Sequence, residues 1–181
     1  MDKLGGVEWR VNKRLFNIIE YVWSIGGGLG EVPKRYNERT IAPEMIRGAD
    51  NYREKLKLLK EHKLNNETHG LRCEFLLKLN MAQSFQGCDK IYFPHNVDFR
   101  GRAYPISPHL NHMGPDLNRG ILEFSKPKPL GKDGLWWLKV HLANKIGEDK
   151  LPLEGRATYA ESKMDIVHRC ADDPKNNLDW L

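Results

Sequence analysis

The side chains best suited to chemistry in this 181-residue sequence lie in one short segment, positions 98 to 104. Arg100 and Arg102 are two residues apart, so on an extended backbone both would point to one face, and Tyr104 would follow on it. Arginine offers paired planar donors to phosphate oxygens, and a tyrosine ring can stack on a base. Gly101 lets a partner's backbone approach closely. The segment is therefore a candidate grip for a nucleic-acid backbone.

The same residues also allow a purely structural interpretation. Asp98 can pair with an arginine at the end of a strand, and Tyr104 can pack in a core, without any ligand. The lysines that follow can form either an electrostatic floor for a nucleic-acid backbone or an ordinary solvated surface. Spacing alone leaves both interpretations open, and the candidate backbone contacts are Lys126, Lys128 and Lys132.

Three histidines near this segment, His95, His109 and His112, raise the hypothesis of a zinc or iron site. The His-x-x-His spacing of the last two suits one metal ion less well than His-x-x-x-His on a helix, and no glutamate follows to act as a base. Pro108 and Gly114 place the pair in a loop. We therefore expect ordinary hydrogen-bonding histidines and no metal site, and keep a metal hydrolase as a further alternative.

The composition indicates a protein with a substantial core and some preference for polyanions. Apolar residues make up 40% of the chain, which has a formal charge of +5 and an isoelectric point near 9.1. Because 24 acidic residues are interspersed with 29 basic ones, this charge favours nucleic acid only weakly. Cys73, Cys88 and Cys170 form neither a disulfide framework nor a CxxC pair, which favours a reducing interior compartment.

Membrane and targeting signals are not evident in the sequence. No apolar run approaches the roughly 20 residues needed to span a bilayer, because Lys and Arg interrupt each one. The N-terminal segment contains Asp2 and Glu8 and no serine, which is untypical of a transit peptide or a secretory signal. We expect no membrane span and no targeting segment in this chain. The C-terminal residues 176–181 lack a cap or a polar tail, so we expect the protein to continue beyond them.

The first half of the chain is predicted to be helical. Apolar residues at helical spacing predict a first helix over residues 7–23. The glycine-rich segment 26–30 lacks the Gly-Lys-Ser/Thr ending of a phosphate-cradling loop and predicts a turn. A short, basic second helix should follow a cap at Asp50. A separate third helix is expected over residues 66–85, with Gly87 placed to end it.

The second half changes from helical to mixed structure. Short β-prone segments bounded by turns predict strands at 90–94, 102–107 and 120–125. A helix is expected between a cap at Asp133 and Gly147, with Trp136 and Trp137 packed in a core rather than stacked on bases. A last helix is expected over residues 157–171, with Pro174 after it.

Two long segments resemble the start of the palm in the single-subunit RNA polymerases of phages and mitochondria. They are IYFPHNVDFRGRAYP, from residue 91, and GILEFSKPKPLGKDGLWWLKVHLAN, from residue 120. Two upstream helical segments, from Val7 and from Leu71, are similar to helices that precede this palm motif. The stretch around 24–68 diverges. PHNVDFRGRAYP together with PHLNH is more similar to the mitochondrial and plastid branches than to the phage branch.

The resemblance implies an α+β, predominantly helical fragment of a right-hand polymerase. Residues 1–88 would be the end of the N-terminal part and the thumb, and residues 89–181 the first part of the palm with a small sheet, incomplete at its C-terminus. The residues that match the family motif contacting the template strand and the RNA:DNA hybrid are Asp98, Arg100, Gly101, Arg102 and Tyr104.

The resemblance places the catalytic residues outside this chain. In this family, two aspartates hold two Mg²⁺ ions that support attack of the RNA 3'-hydroxyl on an incoming ribonucleotide. Both aspartates would follow Leu181, so we expect no catalytic residue and no metal ligand here. The full protein would be a DNA-directed RNA polymerase, a nucleotidyltransferase that requires Mg²⁺. The 181-residue chain alone should not polymerise.

The partners and compartment follow from the same resemblance. We expect a DNA template, an RNA product, ribonucleoside triphosphates and organellar transcription factors. The expected location is the mitochondrial matrix, with the plastid second. The alternative function is a non-catalytic nucleic-acid-binding remnant or accessory module of the same fold. The reading frame beyond Leu181 distinguishes them, because only the enzyme needs the missing metal and nucleotide motifs.

Overall fold

The computed structural model describes residues 1–37 and 39–177. The chain divides into two compact units, residues 1–126 and residues from 127 onward. About 52% of the chain is helical, and the strands form small antiparallel two-stranded sheets. This confirms the prediction of a predominantly helical α+β fold. The assignment of residues 1–88 and 89–181 to thumb and palm remains a prediction.

The first unit contains five helices and four strands within its described residues. In chain order they are α1 (Asp2–Gly5), β1 (Trp9–Val11), α2 (Lys13–Ser24), α3 (Pro43–Arg47), α4 (Tyr52–Phe85), β2 (His95–Val97), β3 (Ala103–Pro105), α5 (Asp116–Ile121) and β4 (Leu122–Phe124). β1 pairs with β4, and β2 pairs with β3, both antiparallel.

The predicted first helix is wrong in its first turns, which form β1 instead. Trp9 exchanges two backbone hydrogen bonds with Ile91, at 2.9 and 2.7 Å. The helix α2 begins only after Asn12, whose side chain accepts a hydrogen bond from the backbone N–H of Leu15 at 3.1 Å. Apolar residues in a segment this short fit either period, so the distant strand partner decided the outcome.

The second and third predicted helices are one continuous helix, α4. Polar residues near 66 predicted a break, but these side chains support the helix from its own surface. Lys63 forms an ion pair with Glu67 at 3.7 Å, and the hydroxyl of Thr68 donates to the carbonyl of Leu64 at 2.8 Å. The cap is Asn51 rather than Asp50, since its side chain accepts from a backbone N–H in the first turn.

The strand predictions are confirmed only in part. Segment 90–94 contributes a single bridge, between Ile91 and Trp9, and the strand forms just after it, at β2. β3 lies within the predicted 102–107, and β4 within 120–125. A short helix that was not predicted, α5, runs directly into β4. Such short elements depend on partners that are far away in sequence.

The core of the first unit forms between α2, α4 and the sheet of β1 and β4. The ring of Trp23 on α2 lies 4.9 Å from the ring of Phe75 on α4. The apolar side chains buried here come from every major element and include Val11, Phe16, Ile19, Val22, Phe75, Leu79, Ala82, Leu110, Ile121 and Leu122.

The glycine-rich segment after α2 forms the predicted turn. Gly27 donates to the carbonyl of Val22 at 2.9 Å, and Arg35 donates its backbone N–H to the carbonyl of Gly26 at 2.8 Å. The guanidinium of Arg35 then lies 5.7 Å from the ring centroid of Trp23 and 5.5 Å from that of Tyr36. The turn therefore returns the chain onto the aromatic end of α2.

The second unit contains three helices within its described residues: α6 (Gly134–Ile146), α7 (Leu153–Glu161) and α8 (Met164–Asp172). The predicted end of α6 is confirmed, because Gly147 adopts a φ of +104°. The predicted last helix is wrong as one piece, since it is interrupted after Glu161. Trp137 is 54% exposed and packs edge-on against Trp136, so core packing is wrong for Trp137.

We predict that Gly27→Ala destabilises the first unit by about 2 kcal/mol or more, because a non-glycine residue at positive φ is strained and its side chain has no space. Gly27 has a φ of +68°, and an added Cβ would lie 2.0 Å from the carbonyl oxygen of Pro33. The matched control is Gly70→Ala inside α4, where no atom lies within 4 Å. It should stabilise by roughly 0.5–1 kcal/mol. Urea unfolding followed by circular dichroism measures both, and equal effects would contradict the prediction.

Candidate nucleic-acid interface

The candidate residues 98–104 lie on the hairpin of β2 and β3. The backbone N–H of Asp98 donates to the carbonyl of Arg102 at 2.9 Å, and that of Gly101 donates back to the carbonyl of Asp98 at 3.0 Å. Gly101 has a φ of +77°, the left-handed conformation that commonly closes a three-residue hairpin loop. The sequence prediction of an extended backbone through Arg100 is therefore wrong, because these residues turn the chain.

The carboxylate of Asp98 organises this turn. Its Oδ1 accepts hydrogen bonds from the backbone N–H groups of Arg100 and Arg102, both at 2.9 Å. Its Oδ2 lies 3.4 Å from Nε of Arg100. An aspartate whose carboxylate accepts hydrogen bonds from backbone N–H groups a few residues later in the chain typically stabilises a turn. Asp98 therefore pairs with an arginine at the end of a strand, as the structural interpretation of the sequence expected.

The tip of the hairpin presents an aromatic ring and two arginines to solvent. Phe99 is 96% exposed, and the guanidinium of Arg100 lies 5.3 Å from its ring centroid. Arg102 is exposed, and Tyr104 is 41% exposed, so Tyr104 is not a core residue. Sequence reasoning missed Phe99. Its position between Asp98 and the glycine of the turn was the signal that could have revealed it.

The base of the hairpin is attached to an aromatic cluster. His95 on β2 lies next to His112, with 5.2 Å between ring centroids, and His112 stacks on Trp9 at 4.9 Å with an interplanar angle of 10°. Phe93 and Phe124 complete the cluster around Trp9. The contacts of His95 with His112 and of His112 with Trp9 therefore connect the base of the hairpin to β1.

The histidines do not assemble into a metal site. His95 shares a hydrogen bond of 2.7 Å between its Nδ1 and the carbonyl of Phe93, and the backbone carbonyl of His109 accepts from Asn118. Among residues 1–37 and 39–177, no group of three or more His, Cys, Asp or Glu side chains could hold a metal ion. The described histidine, cysteine and carboxylate side chains therefore offer no donor set that fits zinc, iron or Mg²⁺.

His112 is partly buried within the aromatic cluster. Its Nδ1 is buried and has no hydrogen-bond partner among the described residues. Loss of hydration disfavours the imidazolium and lowers the pKa of His112, and the nearby His95 lowers that pKa further. Neutral His112 is therefore the form that fits against Trp9.

Of the three candidate lysines, Lys126 forms an ion pair with an acid of the first unit. Nζ of Lys126 lies 3.0 Å from Oε2 of Glu8, and Nζ of Lys90 lies 2.9 Å from Oε1 of the same carboxylate. The hydrogen bond from Lys90, followed by that from Lys126, lowers the pKa of Glu8. Lys126 is the last residue of the first unit. Lys128 and Lys132 belong to the second unit, and their side chains are exposed. Lys126 thus serves partly as a structural partner of Glu8.

None of the described helices is both long enough and apolar enough to cross a membrane.

We predict that Asp98→Ala loosens the hairpin tip, because two backbone N–H groups lose their acceptor at a cost of about 1–2 kcal/mol. Amide hydrogen exchange at Arg100 and Arg102 should accelerate roughly tenfold, the factor that about 1.4 kcal/mol represents. Asp98→Asn is the matched control, since its side-chain oxygen can still accept both bonds. Unchanged exchange in Asp98→Ala would contradict the assigned role.

We predict that His112 contributes an acid-sensitive part of the stability. Its folded-state pKa lies below the ordinary value of 6.5, so this contribution is complete above that value and is lost as the pH falls through the folded-state pKa. The urea midpoint of the unsubstituted protein should fall more between about pH 7 and pH 5 than that of His112→Phe. His141→Phe, which alters an exposed ring on α6, serves as the control. Parallel pH profiles for all three proteins would refute the prediction.

Comparisons with known proteins support the resemblance seen in the sequence. A family model described as DNA-dependent RNA polymerase matches residues 128–181. The chain is 42% identical over 187 residues to DNA-directed RNA polymerase 2, chloroplastic/mitochondrial, of Nicotiana sylvestris. It is 43% identical over 187 residues to DNA-directed RNA polymerase 1, mitochondrial, of Arabidopsis thaliana, and 41% identical over 186 residues to DNA-directed RNA polymerase 3B, chloroplastic, of Nicotiana tabacum.

These alignments cover nearly all of the chain but only a small part of each relative. They include 99% of this chain and 18% or 19% of the relative's length. The chain is thus similar both to a polymerase named as mitochondrial and to one named as chloroplastic. Over nearly its whole length, the chain is therefore similar to a segment of the organellar DNA-directed RNA polymerases.

Proposed function

We propose that this chain holds the template strand and the RNA:DNA hybrid in a polymerase that transcribes organellar DNA, and that the hairpin of residues 98–104 makes the contact. The observation that carries the proposal is the exposed tip, where Phe99 is 96% exposed and the guanidinium of Arg100 lies beside its ring. An exposed aromatic ring flanked by arginines suits a nucleic-acid strand, because rings stack on bases while arginines bind phosphates.

The roles of the individual side chains follow from their positions. Arg100 and Arg102 supply the phosphate contacts, and Phe99 and Tyr104 supply stacking surfaces. Asp98 does not contact the strand directly in this proposal. It holds the backbone of both arginines, so less conformational entropy is lost when the strand binds. Gly101 closes the turn that brings these residues together.

The reaction itself belongs to the whole protein. We propose that it joins ribonucleoside triphosphates into RNA on a DNA template, with Mg²⁺ ligands supplied by other parts of the polypeptide. Residues 1–88 would belong to the end of the N-terminal part and the thumb, and residues 89–181 to the palm. The 181-residue chain by itself should then bind nucleic acid without extending it.

The compartment of action is proposed to be an organelle. The relatives include both chloroplastic and mitochondrial polymerases, which supports an organellar location. We favour the mitochondrial matrix, with the plastid second, and expect organellar transcription factors as further partners. A non-catalytic nucleic-acid-binding module of the same fold is the alternative. It would share the hairpin contacts, and failure of the full-length protein to synthesise RNA would favour it.

We predict that Arg100→Ala with Arg102→Ala weakens binding to an RNA:DNA hybrid and reduces its salt dependence. Each lost phosphate contact should lower the slope of log affinity against log salt by about one unit or less. Fluorescence anisotropy over a salt series measures both quantities. The matched control removes two exposed arginines elsewhere in the first unit, by Arg47→Ala with Arg53→Ala, and should leave the slope nearly unchanged. Equal slopes for the two double variants would count against the hairpin.

A further inference from the structure

Three large apolar side chains lie exposed on the first turns of α4. They are Tyr52, Leu56 and Leu59, here called the apolar stripe, and their exposed fractions are 75%, 39% and 42%. Spacings of four and three residues place all three within an arc of about 60° on the helix surface, over a length of about 10 Å. They therefore form one continuous apolar surface that water reaches.

Another side of α4 is held against the preceding loop of the first unit. Leu58 is buried, and the side chain of Asn65 donates a hydrogen bond to the carbonyl of Arg39 at 2.8 Å. Nδ1 of His62 lies 3.3 Å from the carbonyl oxygen of Ile41. Because these contacts fix the rotation of the helix about its axis, the apolar stripe is turned away from that loop.

Cations border the apolar stripe on both sides. Arg53 and Lys60 lie along one side of it, and Lys55 lies along the other. In a seven-residue repeat with the stripe at the core positions, these three residues occupy the flanking positions, which pair with a partner helix. The three flanking cations are exposed, and none forms an ion pair with a described residue.

The acidic residues of the same turns are engaged elsewhere. The carboxylate of Glu54 accepts a hydrogen bond from the backbone N–H of Asp50 at 2.9 Å, as part of the helix cap. Oε2 of Glu61 lies 3.9 Å from Nη1 of Arg39. The surface therefore keeps three positive charges around an apolar centre.

This combination discriminates among the possible occupants of the surface. A nucleic-acid backbone offers phosphates to the cations but no apolar chain to cover the leucines. A helix that lies in a bilayer surface needs a wider apolar face than an arc of about 60°. A second copy of this chain would place like charges opposite each other. A helix whose apolar side chains are bordered by carboxylates matches both the stripe and its charges.

We propose that residues 52–60 of α4 dock an acidic amphipathic helix of a partner protein. The apolar side chains of that helix pack on the apolar stripe, and its carboxylates pair with the flanking cations. Because the stripe is only about two turns long, the contact is small, and the complex forms and dissociates rapidly. This surface is separate from the hairpin, so the inference does not rest on the proposed contact with the template.

The test uses the full-length protein, so that any other part of its own polypeptide that covers the stripe is present. Two fluorescent, stapled helical peptides serve as probes. Both carry leucines at the core positions, and their flanking positions are all glutamate in one peptide and all lysine in the other. Fluorescence anisotropy should show roughly tenfold tighter binding of the glutamate peptide, because three ion pairs replace three like-charge contacts.

Reversal of the flanking cations should reverse this preference. The variant Arg53→Glu, Lys55→Glu and Lys60→Glu should bind the lysine peptide more tightly than the glutamate peptide. The matched control, Lys13→Glu, Arg14→Glu and Lys57→Glu, makes the same change in net charge at exposed positions outside the stripe and its flanks. It should keep the original preference, and circular dichroism checks that both variants are folded.

A second variant tests the apolar contact without changing the charge. Leu56→Gln with Leu59→Gln keeps good helix formers at exposed positions and should weaken binding of the glutamate peptide at least fivefold. Arg100→Ala with Arg102→Ala should bind this peptide as the unsubstituted protein does, so failure of the hairpin proposal and failure of this one are distinguishable.

Several outcomes would overturn the proposal. The full-length protein could bind neither peptide, which would mean that the surface is covered, or it could bind both alike. Charge reversal at the control positions could have the same effect as reversal of the flanking cations, or the leucine variant could bind unchanged. Leucine-dependent binding to phosphatidylglycerol vesicles or to duplex DNA, without binding of the glutamate peptide, would assign the surface to a membrane or to nucleic acid instead.

Discussion

The packing of Trp9 is the interaction on which the first unit most depends. Its backbone bonds to Ile91 and its strand pairs with β4, so three distant parts of the chain meet at this residue. Its ring contacts Phe124 and stacks on His112, which in turn lies beside His95 at the base of the hairpin. The position of the hairpin is therefore coupled to the core through a continuous series of rings. Within that series of rings, Nδ1 of His112 is buried without a hydrogen-bond partner among the described residues, which lowers the stability of the packing.

A rigid base and a pre-formed tip together explain how so small a hairpin could serve as a binding element. A two-stranded hairpin alone is marginally stable in water. Here the aromatic cluster holds its base, and the carboxylate of Asp98 holds its tip by bonding to two backbone N–H groups. The side chains of Phe99 and Arg100 remain exposed while their backbone is fixed. Such an arrangement lowers the entropic cost of binding a strand without burying the groups that would bind it.

The basic side chains of the protein differ in whether an acidic side chain lies beside them. Glu8 engages both Lys90 and Lys126, and Glu123 engages Arg10, so these cations stabilise the sheet region. The arginines of the hairpin are exposed, as are Lys13 and Arg14 at the start of α2 and the basic residues in the first turns of α4. Net charge alone does not show which of these cations are engaged by an acid, and only the structure places Glu8 and Glu123 beside theirs.

The sequence by itself determined the resemblance to organellar RNA polymerases, the predominantly helical class and the end of α6 at Gly147. These depend on local patterns and on a long, specific motif. Tertiary structure alone decided that Trp9 belongs to a strand, because its partners at residues 91 and 122–124 are distant in sequence. It also decided that Arg100 and Arg102 lie on a turn with Phe99 at its tip. Spacing gives the direction of a side chain only once the backbone conformation is known, and that conformation was set here by the hydrogen bonds of Asp98 and the pairing of β2 with β3.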